Sequence, residues 1–293
     1  MRSMEQSTVE ELLKDKLLSP KIVIEAFLAS CLKLRPASQV TVPAEMPNGV
    51  EMGQKIDQNI QPQMMQLKNI KDLRTRAVAV QAMKKLMEKQ FEDIVEESDE
   101  YKALYDWSDK LGLRNNQVKV RPTVHEIYLY TERGTGRSIQ KLMREREKIR
   151  RKIQRKPGEN VNPIRFAYPE EFDPKWLKRM GEVLGYPSCC VDRYAEDRKN
   201  NVNVEVRASQ QLIDEIKEKE VDAHVYYTGF FFPCSPRCEN ALKNGYRWDE
   251  KLKELHPDLG ALYERDIRYN AELVLRQPEL IQKYLTQFKP KEG

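Results

Sequence analysis

The placement of the cysteines constrains this chain more than any other feature. Four of the five fall between Cys189 and Cys238, as the adjacent pair Cys189-Cys190 in GYPSCC and the spaced pair Cys234 and Cys238 in PCSPRC, separated by 43 residues. Prolines stand at the start of each pair, where a helix is expected to begin, so two helix N-termini carry the four sulfurs. A helix start presents unpaired N–H groups and a partial positive charge, which favour thiolate over thiol. Thiolates are the ligands of zinc and of iron–sulfur clusters. Arg193 and Arg237, neighbours of the two pairs in sequence, are expected to support the same charge state. Cys234 and Cys238 are four residues apart and share one helix face. Adjacent residues diverge by about 100° on a regular helix, so Cys189 and Cys190 reach one ion only if residue 189 is non-helical.

Three readings of this constellation stay open: a four-thiolate metal or iron–sulfur site, a redox or nucleophilic thiol pair, and ordinary buried cysteines. The first differs from the second in requiring all four sulfurs to converge. GYPSCCVDRY followed by FPCSPRCENALKNG resembles the archaeal and bacterial family catalogued as domain of unknown function 483, marked by a GYPxCC segment and a PCxxxC segment running into a helix. The resemblance covers roughly residues 118–250 and brings no established activity. In many relatives a histidine precedes the proline of the second motif, where Phe232 stands here. A looser similarity to the CCG domain of heterodisulfide reductases points to iron–sulfur chemistry. That domain needs a further cysteine upstream, which residues 150–188 lack, and it ends in CxxC.

Three histidines are present. His224, ten residues before Cys234 and at the start of the strand-like run HVYYTGFFF, is the candidate proton carrier or additional ligand near the sulfurs. His125 opens a second strand-like run, VHEIYLYT, and His256 punctuates a turn. No Ser/His/Asp order, HExxH or EF-hand pattern supports a hydrolase or calcium reading.

Charge supplies the other signal. The chain carries a net +5, yet residues 137–156 alone hold +8 and leave the remainder near −3. Ile139, Leu142, Met143, Ile149 and Ile153 keep an apolar stripe on this segment, and Lys141, Arg144, Arg146, Lys148, Arg150, Arg151, Lys152 and Arg155 surround it. Such a helix can neutralise phosphates, which makes nucleic acid the candidate partner. An acidic protein or a lipid surface fits the same charge. The preceding Gly134-Thr135-Gly136 lacks the full spacing of a phosphate loop.

Elsewhere helical spacing dominates. The expected fold class is α+β, predominantly helical, with a small β-sheet in the cysteine-motif domain. The expected organisation is a helical N-terminal region over 1–112, in which 36–63 form an irregular linker or strap, and an α+β cysteine-motif domain over 113–293. The Pro-, Gln- and Asn-rich composition of 36–63 carries that last expectation. No apolar run of 18 residues exists and no signal peptide opens the chain, so a cytoplasmic location with reduced thiols is expected. A metal- or cluster-binding protein is the leading reading. A nucleic-acid or ribonucleoprotein-associated module and a thiol-based redox enzyme are the alternatives.

Overall fold

A computed structural model describes residues 5–155 and 163–287. The fold is α+β and predominantly helical, with one three-stranded sheet among the described residues. The chain forms two compact units, Met1–Cys31 with Ala37–Gly136, and Leu32–Pro36 with Arg137–Gly293. The sheet lies in the first unit and the four motif cysteines in the second.

The first unit runs through α1 (Gln6–Lys14), a π-helical segment Ile22–Leu28 continuing into α2 (Ala29–Cys31), β1 (Ala37–Val42), α3 (Gly49–Asn69), α4 (Leu73–Phe91), α5 (Asp99–Lys110), β2 (Arg114–Arg121) and β3 (Val124–Tyr130). The strand order is β1-β3-β2, antiparallel throughout, with Ala37 and Arg114 both paired to Tyr130. β3 takes the centre because its β-branched and aromatic side chains suit a strand covered on both sides, and His125, Ile127, Tyr128, Leu129 and Tyr130 are buried. Residues 36–63 are therefore ordered secondary structure rather than an irregular strap. ASQVTV buries Ser38, Val40 and Val42 at period two against β3, and α3 buries Met52, Ile56 and Ile60 at period four. The glutamines and asparagines lie on the outward turns between those residues, which conceals the period.

The second unit contains α6 (Arg133–Arg155) beyond its first turn, then α7 (Pro163–Ala167), α8 (Pro174–Val183), α9 (Ser188–Lys199), α10 (Val204–Glu218), α11 (Glu239–Leu255), α12 (Pro257–Leu275) and α13 (Gln277–Gln287). Its core centres on Trp248, Tyr226, Tyr227, Tyr263 and Ile267. Leu32–Pro36 joins this unit through Arg35, whose Nε donates to the Leu184 carbonyl at 2.9 Å while its guanidinium lies over the Tyr186 and Trp248 rings.

The run HVYYTGFFF does not form the expected strand. Asp222 accepts from the His224 N–H at 2.9 Å and caps a 3₁₀ turn over Ala223–Tyr226, and Phe230 adopts a left-handed φ of 56°. Side chains of α12 then satisfy the carbonyls that a ladder would have used: Asn270 donates to Tyr226 O and Tyr263 to Tyr227 O, each at 3.2 Å. Aromatic content placed this segment in the core, and the capping aspartate decided its backbone. No helix among the described residues is long and apolar enough to cross a membrane.

Candidate metal centre

The first motif is a helix stop joined to a helix start. α8 ends with Gly185 at a φ of +70°, and the Tyr186 N–H bonds back to the Gly181 carbonyl at 2.9 Å, the closing bond of a Schellman cap. An added Cβ on Gly185 would also lie 2.9 Å from the Cβ of Arg35, so a side chain there is both strained and crowded. Pro187, with φ −58° and ψ 133°, is the N-cap of α9, and the N–H groups of Cys190 and Val191 both return to its carbonyl at 3.0 Å. Cys189 and Cys190 thereby occupy the first turn of α9.

The second motif is a turn that ends in a helix cap. Arg237 N–H donates to Ser235 Oγ at 3.0 Å and Cys238 N–H to Ser235 O at 3.1 Å, which curls the chain so that Cys238 becomes the N-cap of α11. Cys234 stands at the entry of this turn, outside any helix. The two sulfurs of PCSPRC are thus brought together by a turn, not by successive turns of one helix.

All four sulfurs converge. The Sγ atoms of Cys189, Cys190, Cys234 and Cys238 lie within 4.8 Å of one another, with 3.9 Å between Cys189 and Cys190, 3.6 Å between Cys189 and Cys238, and 3.5 Å between Cys190 and Cys238. Adjacent cysteines reach this common point although both are helical, which corrects the expectation of a non-helical residue 189. In the first turn no preceding turn crowds the side chains, so their rotamers are free to bend two neighbours inward.

Hydrogen-bond donors surround the sulfurs. The Cys234 N–H donates to Cys190 Sγ at 3.4 Å, the Asn240 side-chain amide to Cys189 Sγ at 3.5 Å, and the Ala241 N–H to Cys238. A hydrogen bond from the Cys190 thiol draws Cys238 down to about 5 against the opposing effect of burial. The same bond, together with burial, pushes Cys190 well above the ordinary thiol range, and burial followed by the neighbouring Cys238 pushes Cys234 up to about 11. Cys238 thus forms its thiolate readily while Cys190 and Cys234 resist, because several negative charges in so small a space need a cation among them.

The other residues singled out in sequence lie around this centre or apart from it. Arg193 Nε pairs with Asp197 at 3.1 Å, and Arg237 Nε pairs with Glu215. His224 is outside the sulfur cluster: its Nδ1 is 2.8 Å from Asp222 Oδ1, its Nε2 is 3.7 Å from Asp249 Oδ2, and its ring stacks on Tyr246. On α6, Arg146 is buried and Arg150 Nε is 3.0 Å from Glu170 Oε2, so neither belongs to an exposed basic face. Lys141, Arg144, Lys148, Arg151 and Lys152 are exposed, and the side chain of Arg155 lies outside the described residues. Asn240 is the contributor that sequence reasoning missed. Its position two residues after Cys238, in the open first turn of α11, was the available signal.

Two helix starts and a turn in an α+β protein define a four-thiol centre, and comparison shows which family its segment resembles. Residues 115–260 match the family described as "Protein of unknown function (DUF483)", so the resemblance carried by GYPSCC and PCSPRC is shown over the segment that holds both motifs. An uncharacterized protein of Methanocaldococcus jannaschii is 35% identical over 68 residues, 23% of this chain and 36% of the relative. One of Methanothermobacter thermautotrophicus is 29% identical over 75 residues, 26% of this chain and 36% of the relative. The chain therefore spans little more than a third of the length of these archaeal relatives. No solved structure matches.

Proposed function

We propose that this protein holds one zinc ion through Cys189, Cys190, Cys234 and Cys238, and that the ion clamps the start of α9 to the turn before α11. The sulfur spacing carries this reading. With a Zn–S distance of about 2.3 Å, the edge of a tetrahedral four-thiolate site is about 3.8 Å. The three pairs among Cys189, Cys190 and Cys238, at 3.5, 3.6 and 3.9 Å, bracket that edge, and Cys234 Sγ lies within 4.8 Å of each. A four-iron cluster gives each thiolate a different iron, which spreads the sulfurs farther apart than ligands of one ion. Convergence of all four also goes beyond what a two-thiol redox pair requires. Four thiolates close the coordination sphere, leaving no open position for substrate, so the centre is read as structural. The N–H donors of Cys234, Asn240 and Ala241 are the partners such an anionic centre uses to fix and stabilise its ligands.

Anaerobic purification followed by elemental analysis should find one zinc per chain and a colourless protein. Replacement by cobalt should give the intense visible bands of a tetrahedral tetrathiolate. Cys189→Ser, at a half-exposed position, should keep the fold while weakening binding and shifting the cobalt spectrum. A brown protein containing iron and sulfide, or an intact protein that takes up no metal, would overturn the proposal.

A further inference from the structure

On the surface of the second unit, α6 carries a stripe of exposed cations. Arg137, Lys141, Arg144, Lys148, Arg151 and Lys152 are all exposed, and none forms a hydrogen bond or ion pair among the described residues. At 3.6 residues per turn they fall within an arc of about 100°, and from 137 to 152 they span about 22 Å of helix. The opposite side is fixed in the protein: Ile139, Leu142 and Arg146 are buried, Trp176 Nε1 donates to the Leu142 carbonyl at 3.1 Å, and Arg150 is held by Glu170. Two acids of the helix flank six cations, so the stripe stays net positive. Glu145 is engaged chiefly by Arg179, with weaker attraction from Lys141 and Lys148, and Glu147 lies about 40° outside the arc.

We infer that this face of α6 binds the phosphate backbone of a nucleic acid. Three features select that partner. The stripe has a single sign and regular spacing, and a duplex 22 Å long offers about a dozen phosphates to it. A lipid surface would call for an exposed apolar face on the same helix. Among the described residues none of the exposed large hydrophobic ones belongs to α6: Ile139 and Leu142 are buried, and Met143, Ile149 and Ile153 are partly covered. A protein interface would place an aromatic or aliphatic anchor among the charges, and the arc holds none. With no aromatic side chain to stack on bases, recognition is of backbone rather than sequence. This inference is independent of the metal centre.

The test uses the full chain as purified, fluorescein-labelled 20-base-pair duplex DNA and a 20-nucleotide RNA, followed by anisotropy at 50 and 200 mM salt. Six phosphate contacts predict an affinity loss of about 10³-fold between those salts for a duplex, and somewhat less for a single strand. K141E/R144E/K148E should bind at least tenfold more weakly at 50 mM and with a shallower salt dependence. K141Q/R144Q/K148Q should move in the same direction. K84E/K85E/K89E, an equal charge change on exposed positions of α4, should bind as the parent does. The inference falls if neither nucleic acid binds at 50 mM, or if the α4 variant loses as much as the α6 variant. It falls equally if polyglutamate or phosphatidylserine vesicles bind more tightly than both nucleic acids.

Discussion

Burial pushes the Cys31 thiol up to about 12, whereas the hydrogen bond from Cys190 draws Cys238 down to about 5. The same functional group resists ionisation in one place and ionises readily in the other, and sequence context separates the two cases. Cys31 has no cysteine or histidine near it in sequence, while Cys238 follows a proline and opens a helix. His125 was less legible, because a histidine in a strand reads as ordinary. Its ring packs on Phe91 at 3.9 Å and its Nδ1 is 2.8 Å from Gln117 Nε2. Burial, aided by Lys119 and opposed by Glu88, lowers its pKa to about 4, and Glu96 lies 3.7 Å away. The unfolded chain therefore takes up a proton first as pH falls. The stability that neutral His125 contributes is complete above the ordinary value of about 6.5 and is lost as pH drops towards about 4, on the order of 3 kcal/mol in all. Urea melts at pH 7.5 and 4.5 should show a larger loss for the parent than for His125→Gln. Equal losses in the two proteins would refute this assignment.

At the scale of elements, stops and starts were read better than the segments between them. Asp173 caps α8 with Pro174 at its first position, a pairing that sequence marks as a helix start, and GYP separates α8 from α9. The misread segments, 36–63 and 224–232, are those where composition and local pattern point in different directions. In the first, polar residues masked a strand and a helix whose buried faces hold only a few apolar positions. In the second, apolar residues suggested a ladder that the Asp222 cap and the α12 side chains replaced. The glycine of GYPSCC offers a direct test of the element boundary. Gly185→Ala forces a side chain into a left-handed backbone and against Arg35, at a cost of roughly 1–3 kcal/mol. Gly53→Ala, inside α3 with no atom within 4 Å of the new Cβ, should stabilise by about 0.5–1 kcal/mol. Thermal melts should therefore shift in opposite directions, by about 2–4 °C per kcal/mol. A Gly185→Ala protein that melts no lower than the parent would remove the Schellman stop from the account of the motif.

For the whole molecule, the paired cysteines were legible as a convergent set because two matched proline contexts 43 residues apart imply one shared purpose. The membership of Leu32–Pro36 in the second unit was not legible. It depends on Arg35 reaching the Leu184 carbonyl and the Trp248 ring across long stretches of sequence, which no local pattern records. With the proposed zinc in place, this architecture determines how metal loss should be felt. A ligand that binds only the folded form stabilises it by RT ln(1 + [L]/Kd), about 2.7 kcal/mol at a hundredfold excess over Kd. The four cysteines proposed to hold it all belong to the second unit, so chelation should loosen that unit first. Amide hydrogen exchange with and without chelator reads this directly. Exchange should rise over 188–192 and 234–242, where the Cys234 and Ala241 N–H groups lose their thiolate acceptors. The amides of β3, paired on both edges in the first unit, should stay protected. Increased exchange in β3 with none at the cysteine motifs would mean that the sulfurs do not hold the second unit together.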